Sequence, residues 1–258
     1  MGDWYRQAGH GVRFEWGPTG AERLAADVEC VVIVDVLSFT TSVTVAVEAG
    51  TRVFPYRWRD ETASAYAAEK DARLAVGRRM ATPSSPWSLS PAALRAAPAV
   101  PRLVLPSPNG SAIAASAGAS PVVAGALRNA TAVGRWLVRQ GYGTAEHPVA
   151  LIAAGERWPD RSLRPAVEDL LGAGAVLHVL RERLGDTLSP EAAVAEAGFR
   201  ATADVRAAVT AGASGGELID GGFAEDVVIA TELDACTAVP VLVDGAFTAA
   251  PPLSAALP

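Results

Sequence analysis

Acidic and hydroxyl side chains follow a strongly apolar stretch near the N-terminus. The stretch "CVVIVDV", residues 30–36, is rich in β-branched residues and contains a single acid, Asp35. Such a run is typical of a strand buried on both faces. A carboxylate with hydroxyls beside it can hold a hard cation and face phosphoryl oxygens. The hydroxyl candidates after this acid are Ser38, Thr40 and Thr41.

Polar groups also follow three other segments with the pattern of buried strands, "RLVLPS", "PVVAGA" and "PVALIAAG". In an open parallel sheet, ligands bind beyond the carboxyl ends of the strands. We therefore expect the groups that follow these segments to share one edge of the sheet with Asp35. The candidates there are Asn109, Gly110, Ser111, Arg128, Asn129, Glu168 and Asp169, and Glu156 and Arg157 follow the last of these segments without an assigned role in the site.

Each candidate also has a structural interpretation. Asp35 could cap a turn or helix, and "SPNGS" is an ordinary turn sequence. Asn129 has the type and place of a helix N-cap. Glu168 and Asp169 would be favoured in a first helical turn by the helix dipole. Their combination at one predicted edge favours the functional interpretation.

The candidate set predicts a metal-assisted phosphate-ester site. Carboxylates at separate strand ends suit Mg²⁺, and Asp35, Glu168 and Asp169 are the candidate ligands. Neighbours on a helix point about 100° apart, so Glu168 and Asp169 are not expected to play the same role, and Glu168 is the first candidate as ligand. Asp35, Asn109 and Glu168 are the candidate catalytic residues; attack by Asp35 and attack by a metal-bound water both stay open. The candidate phosphate-binding residues are Ser38, Thr40, Thr41, Gly110, Ser111, Arg128 and Asn129.

Composition excludes several other functions. The net charge of −6 argues against a broad nucleic-acid surface. Two distant cysteines, Cys30 and Cys236, form neither a zinc motif nor a disulfide framework, and they suit a reducing cytoplasm. The chain has no Walker motif or dinucleotide-binding fingerprint. A haloacid-dehalogenase-type phosphatase would need a second Asp where Leu37 stands.

Strand and helix patterns alternate, which predicts an α/β fold with a mostly parallel sheet covered by helices on both faces. One domain over residues 1–258 is expected, with 181–235 as a helical subdomain, and 77–101 as a long surface excursion. Residues 40–49 fit a helix or an extension of the strand before them. The predicted strands are 12–17, 30–36, 51–56, 102–107, 121–126, 148–155 and one in 238–247, and the main predicted helices are 60–75, 129–140 and 166–184.

No signal peptide or membrane-spanning run is recognisable, so we expect a cytoplasmic protein without a membrane partner. The expected partner is a small phosphorylated anion. Base rates favour a homodimer, although the sequence itself gives no oligomeric state.

Five motifs in this order resemble the 2-phosphosulfolactate phosphatase family, often called ComB-like. They are "VDVLSFTTS", "SPNGSAIA", "GALRNATAV", "AAGERW…SLRPAVEDLLGAGAV" and "SGGELIDGGFAEDVVIATELDACTAVPVL", which lie within residues 28–244. The resemblance implies a three-layer α/β/α fold and Mg²⁺-dependent hydrolysis of 2-phosphosulfolactate to sulfolactate and phosphate, a step toward coenzyme M. By position, the family's site residues would be Asp35, Asn109, Gly110, Asn129, Glu168 and Asp169.

Some residues depart from the family pattern. Ser38 stands where the family usually has an arginine, which would suit a sulfonate or phosphate. Ser111 replaces a threonine, and Gly172 a frequent cysteine. Arginines in the loop 155–165 are candidates to supply the lost charge. The departures leave two alternatives: a phosphatase for a different small phosphoester, and a non-catalytic anion-binding homologue.

Overall fold

The computed structural model describes residues 2–57, 60–118 and 120–250, and a nine-stranded sheet lies at its centre. The strands along the described chain are β1 (Val12–Trp16), β2 (Cys30–Val34), β3 (Arg52–Tyr56), β4 (Arg73–Leu74), β5 (Arg102–Pro106), β6 (Val122–Gly125), β7 (Val149–Ala153), β8 (Glu156–Arg157), β9 (Leu163–Arg164), β10 (Pro240–Val243) and β11 (Ala246–Ala249). The sheet order is β1-β7-β2-β6-β10-β11-β3-β5-β4, and β8 pairs with β9 in a separate hairpin. The predicted α/β fold with a mostly parallel sheet is confirmed.

Helices surround this sheet. The helices are α1 (Gly17–Ala25), α2 (Phe39–Glu48), α3 (Glu61–Glu69), α4 (Pro91–Ala96), α5 (Gly110–Ser116), α6 (Ala130–Arg139), α7 (Val167–Leu184), α8 (Pro190–Ala201), α9 (Val205–Ala211), α10 (Ala213–Asp220) and α11 (Ala224–Ala230). In the described part of the chain, none of them is both long and apolar enough to cross a bilayer.

Strand β2 separates two apolar clusters. Val32 and Val34 pack into one of them with residues of α6, α7 and α8. Val31 and Ile33 pack into the other with residues of α1, α2 and α5. Because alternate side chains of a strand point to opposite faces, the β-branched run fills both cores at once. The strand leading to Asp35 is therefore fixed on both sides.

Helix α2 resolves an ambiguity in the sequence. Its β-branched residues favour a strand locally, yet the segment is helical and buried from Phe39 to Val47. Hydroxyls inside it bond to nearby carbonyls, for example Thr44 Oγ1 to the Thr41 carbonyl at 2.7 Å. Gly50, at a φ of +82°, follows the end of the helix. Burial in the core outweighs local propensity here.

The sheet consists of two parallel halves joined by a hairpin. β1, β7, β2 and β6 are parallel to one another, as are β3, β5 and β4. Between the halves lie β10 and β11, and three successive pairings there are antiparallel. The prediction of a single last strand is wrong, because this segment forms the hairpin. The two halves therefore run in opposite senses, so β5 does not share the carboxyl edge of β2, β6 and β7 as predicted.

The excursion over residues 77–101 is partly buried, although the sequence predicted a surface loop. Ser88, Leu89 and Ser90 are buried, and the segment contains α4. The prediction of a surface loop is wrong for this part because α4 packs between α2 and α11. The predicted helix 60–75 is also shorter, since α3 ends at Glu69 and β4 follows.

Candidate active site

Asp35 lies directly after β2 and is held by two backbone amides. Phe39, at the start of α2, donates its N–H to Oδ1 at 3.0 Å. Gly110, at the start of α5, donates its N–H to Oδ2 at 3.1 Å. The side chain is only 7% exposed. The carboxylate is thus fixed in orientation between the starts of two helices, and the loop after β5 reaches it although β5 belongs to the other half of the sheet.

Gly110 is needed for close approach. A Cβ there would lie 2.2 Å from Cδ1 of Phe39 and 3.0 Å from Oδ2 of Asp35. No side chain fits without moving that ring or the carboxylate. The sequence singled out Gly110 as part of a turn, but the structure gives a steric reason.

Asp169 and Glu168 have different surroundings. Asp169 accepts the N–H of Val36 at Oδ1, 2.7 Å, and the N–H of Gly155 at Oδ2, 2.8 Å. It thereby ties together the chain segments that follow β2 and β7. Glu168 is 2% exposed, and its Oε2 has no hydrogen-bond partner within the described ranges. A buried carboxylate oxygen without a donor is costly unless a cation or ligand meets it.

Glu156 belongs to the same group, although the sequence-based candidate set did not include it. The Asn109 amide donates to Glu156 Oε2 at 3.4 Å and to the Gly155 carbonyl at 3.2 Å. Burial, followed by the negative charges of Asp35 and Glu168, raises the pKa of Glu156 to about 7. The sequence places it just after the strand that is β7, but the sequence analysis assigned it no role in the site. We call Asp35, Glu156, Glu168 and Asp169 the carboxylate cluster.

Burial and neighbouring negative charges raise the pKa values of three carboxylates in this cluster. Burial raises the pKa of Asp35 to about 6, against the opposing effects of its two amide donors and of Arg78, and the charge of Glu168 adds to the rise. Burial, then the charges of Asp35 and Glu168, also raise the pKa of Asp169 well above its ordinary value. Buried like charges with raised pKa values are typical of functional sites.

Thr40 and Thr41 serve the local backbone. Thr40 Oγ1 donates to the Asp35 carbonyl at 2.8 Å and accepts the Asp35 N–H at 2.9 Å. Thr41 Oγ1 donates to the Val36 carbonyl at 2.7 Å. These bonds fix the chain between β2 and α2, so both threonines hold Asp35 in place through its main chain.

Two serines have surroundings better suited to a ligand. Ser111 Oγ is buried and has no hydrogen-bond partner within the described residues. Ser38 follows a cis peptide bond from Leu37 and accepts a hydrogen bond from Nη2 of Arg78 at 2.5 Å. The sequence analysis did not select Arg78, and its distance of 40 residues from Ser38 leaves no sequence signal.

Arg128 belongs to a different part of the molecule. Its guanidinium is 3% exposed and donates to Thr44 Oγ1, Glu48 Oε2 and Glu232 Oε2, each at 3.2 Å. We call this set the arginine junction. The structure does not bring Arg128 into the contacts around Asp35.

Asn129 is also engaged elsewhere. It occupies the N-cap position of α6, but the predicted side-chain cap is wrong. Its Oδ1 instead accepts the Ala126 N–H at 2.8 Å, and its Nδ2 donates to the carbonyls of Ala124 and Ala238 at 3.2 and 3.1 Å. The side chain thereby stabilises the turn after β6 and the approach to β10.

The arginines of the loop 155–165 are divided between two surroundings. Arg157 donates from Nε to Oδ1 of Asn109 at 3.3 Å, which places one cation beside the carboxylate cluster. Arg164 forms a bidentate pair with Glu217 at 3.0 and 2.9 Å.

Gly172, where a cysteine is frequent in the family, packs against β2, and a Cβ there would lie 2.6 Å from Val36.

The donor chemistry of the cluster fits Mg²⁺. No three Asp, Glu, His or Cys side chains in the described ranges are arranged as a ready metal group. Mg²⁺ does not require one, because it commonly binds one or two carboxylates and keeps several waters. The unpartnered Oε2 of Glu168 and the oriented Asp35 are suitable ligands, whereas both oxygens of Asp169 already accept amides.

Fold and site together describe an α/β protein in which buried carboxylates, hydroxyls and backbone amides gather after buried strands. Residues 19–245 match the family described as 2-phosphosulpholactate phosphatase, and the chain belongs to that family. A search of curated proteins found no match to the chain. The resemblance noted in the sequence motifs is confirmed, and it assigns the chain to a family of phosphoric monoester hydrolases.

Proposed function

We propose that this protein is a Mg²⁺-dependent phosphatase that hydrolyses a small phosphorylated acid. The first candidate substrate is 2-phosphosulfolactate, which would give sulfolactate and phosphate. The observation that carries the proposal is the unpartnered Oε2 of Glu168 in the cluster that contains the oriented carboxylate of Asp35.

Asp35 and Glu168 are the proposed metal ligands. Bound Mg²⁺ would neutralise charge on the phosphoryl group. Asp35 is pre-organised for this task because each of its oxygens accepts one amide and keeps a further lone pair. Asp169 holds the ends of two strands together and thus keeps its neighbour Glu168 in place.

The proposed phosphate-binding donors surround these acids. Ser111 offers a buried hydroxyl without a partner in the described chain. Asn109 contacts both Glu156 and Arg157, so its amide positions a cation and an acid at the same point. Preorganised donors of this kind stabilise the charge that develops in phosphoryl transfer. Thr40 and Thr41 support this arrangement through the backbone.

A phosphatase for a different small phosphoester is the second candidate. Ser38 favours it, because the residue at this position in the family pattern is usually an arginine. A substrate with fewer acidic groups than 2-phosphosulfolactate would need fewer cations.

Phosphate release from a panel of small phosphoesters, with Mg²⁺ or with EDTA, tests the proposal. We expect EDTA-sensitive turnover, fastest with 2-phosphosulfolactate if the first candidate is correct. Asp35→Asn should lower kcat by about a thousandfold or more, since it removes a charge in direct contact with the reaction.

Asp204→Asn is the matched control, because Asp204 caps α9 and asparagine caps helices equally well. It should retain wild-type turnover. Release of phosphate from no ester by the folded wild type would instead support the non-catalytic homologue.

A further inference from the structure

Arg78 is a cation that a distant segment places beside the carboxylate cluster. It opens the short 3₁₀ turn Arg78–Met80 in the excursion 77–101. Its Nη2 donates to Ser38 Oγ at 2.5 Å. Ser38 immediately precedes Phe39, whose amide binds Asp35. The guanidinium therefore lies at the same helix start that orients this carboxylate.

A buried acid holds the guanidinium in place. Nε of Arg78 donates to Oδ2 of Asp226 at 3.1 Å, and Asp226 is 1% exposed. The other oxygen of Asp226 accepts Ser90 Oγ at 2.5 Å and the Ala92 N–H at 3.1 Å. Asp226 thus fastens the excursion to α11. A cation that is already immobilised loses little entropy when it binds an anion.

The guanidinium keeps capacity for a ligand. Its described hydrogen bonds use Nε and Nη2, and its Cζ lies 5.9 Å from the centroid of the Phe223 ring, while no hydrogen bond in the described part of the chain uses Nη1. The side chain is 19% exposed, so it is neither sealed in the core nor freely solvated. Its positive charge also lowers the pKa of Asp35. The described geometry combines a fixed cation, a hydroxyl and nearby carboxylates.

The pairing with Asp226 accounts for only one edge of the guanidinium. Arg78 Nε is the donor to Oδ2 of this buried acid, whose Oδ1 receives Ser90 and Ala92, and this pairing does not use the Nη groups. Ser38 Oγ is a neutral acceptor and does not require a full positive charge. A guanidinium directed at a hydroxyl beside an acidic cluster instead suits an anionic group that bridges both donors.

We propose that Arg78, with the Ser38 hydroxyl, binds the second acidic group of the substrate, a carboxylate or sulfonate, and so determines specificity for phosphorylated acids over simple phosphoesters. This inference rests on the proposed function and adds a residue for recognition of the acid. Arg78 is then a specificity-determining residue, and the carboxylate cluster handles the phosphoester.

The test compares two phosphoesters that share a skeleton. 2-Phospholactate has a carboxylate, and isopropyl phosphate has a methyl group in its place. Arg78→Gln should lower kcat/KM for 2-phospholactate by about 10- to 100-fold, the usual range for a lost charge-assisted hydrogen bond. For isopropyl phosphate the change should stay within about threefold of the wild type. Equal losses on both esters, or no loss, would overturn the proposal.

Further variants separate recognition from folding. Arg78→Lys keeps the charge and the pairing with Asp226 but loses the planar fork, so it should show an intermediate loss on 2-phospholactate alone. Arg95→Gln is the matched control, since Arg95 lies in the same excursion and pairs with Glu232. It should leave the ratio of the two kcat/KM values unchanged. Thermal unfolding would show that each variant is folded.

A binding measurement tests the role of Arg78 in acid recognition independently of the proposed phosphatase activity. Calorimetry with sulfolactate and with inorganic phosphate, each with Mg²⁺ present, needs no turnover. Arg78→Gln should weaken sulfolactate binding at least tenfold and change phosphate binding less than about threefold. If the wild type hydrolyses no ester but shows this pattern, the proposed function fails and Arg78 still recognises the acid. If sulfolactate does not bind the wild type, or binds the variant equally well, the role of Arg78 is overturned.

Discussion

The carboxylate cluster and the arginine junction, which is built around the buried Arg128, are two charged regions that balance their charges differently. In the arginine junction, Arg128 pairs with Glu48 and Glu232, and Arg95 forms a bidentate pair with Glu232. Hydrogen bonds from Arg95 lower the pKa of Glu232. Glu232 is thus stabilised in its charged form by cations of the chain itself.

The carboxylate cluster lacks this balance. The pKa values of Asp35, Glu156 and Asp169 are all raised, and Glu168 keeps an unpartnered oxygen in the described structure. Both regions contain residues that the sequence analysis chose as site candidates. Their contacts therefore distinguish charges that are compensated within the fold from charges that are not.

Among the changes that compare these two regions, crowding the carboxylate cluster should have the largest effect. Gly110→Ala places a Cβ where the ring of Phe39 lies, so the amide that binds Asp35 must move. We expect kcat to fall at least a hundredfold, because small displacements of catalytic groups cost about that much. Gly198→Ala, where a Cβ meets nothing within 4 Å, is the control. Full activity in Gly110→Ala would show that the close approach is unimportant.

The arginine junction should respond in the opposite way. Arg128→Met keeps a long apolar stem but removes the buried guanidinium that joins Thr44, Glu48 and Glu232, while Arg95 still pairs with Glu232, so the free energy of unfolding should fall by about 1–2 kcal/mol. Turnover per folded molecule should stay within about twofold of the wild type. Urea unfolding and steady-state kinetics measure the two quantities.

Arg139→Met, on the exposed surface of α6, provides the matched control and should change unfolding by less than about 0.5 kcal/mol. A tenfold loss of turnover in folded Arg128→Met would place Arg128 in the active site, as the sequence analysis proposed.

The smallest effect concerns pH. The folded-state pKa of Asp35, about 6, exceeds its ordinary value of 3.8, and that of Glu156, about 7, exceeds 4.5. The native state therefore binds more protons than the unfolded state between these values, and stability falls as pH rises from about 4 to about 7. Without divalent cations, Tm should drop by a few degrees over this window.

Glu156→Gln should reduce that drop, because it removes one of the acids that resist ionisation. Glu146→Gln, an exposed acid, should leave the slope unchanged. A wild-type Tm that rises through the same window would contradict the cited pKa shifts and the proposed repulsion within the cluster.

Local patterns predicted most of the scaffold. The buried strand before Asp35, the α7 acids Glu168 and Asp169, and the Asn109–Gly110 turn all lie at segment ends that periodicity and turn chemistry reveal. The Asp35–Gly110 contact was expected from the rule for parallel strands, although β5 lies in the oppositely running half of the sheet. The contact between these two residues was thus predicted correctly, but the strand orientation on which the prediction rested was wrong for β5.

Side-chain contacts between residues far apart in the sequence could not be predicted from local patterns. The bond between Arg78 and Asp226 joins residues 148 positions apart, and no local pattern encodes it. Arg128 and Asn129 had the residue types of a phosphate site, but their partners come from α2 and from the chain near β10 and α11. Only the folded contacts show which charges are already compensated.

Magnesium binding tests the central claim most directly, because it requires neither substrate nor turnover. Calorimetric titration of Mg²⁺ into the wild type should show one saturable ion, and Glu168→Gln should bind it at least tenfold more weakly while remaining folded. Equal affinity in the two proteins, or no saturable binding by the wild type, would contradict the assignment of the carboxylate cluster as a cation site.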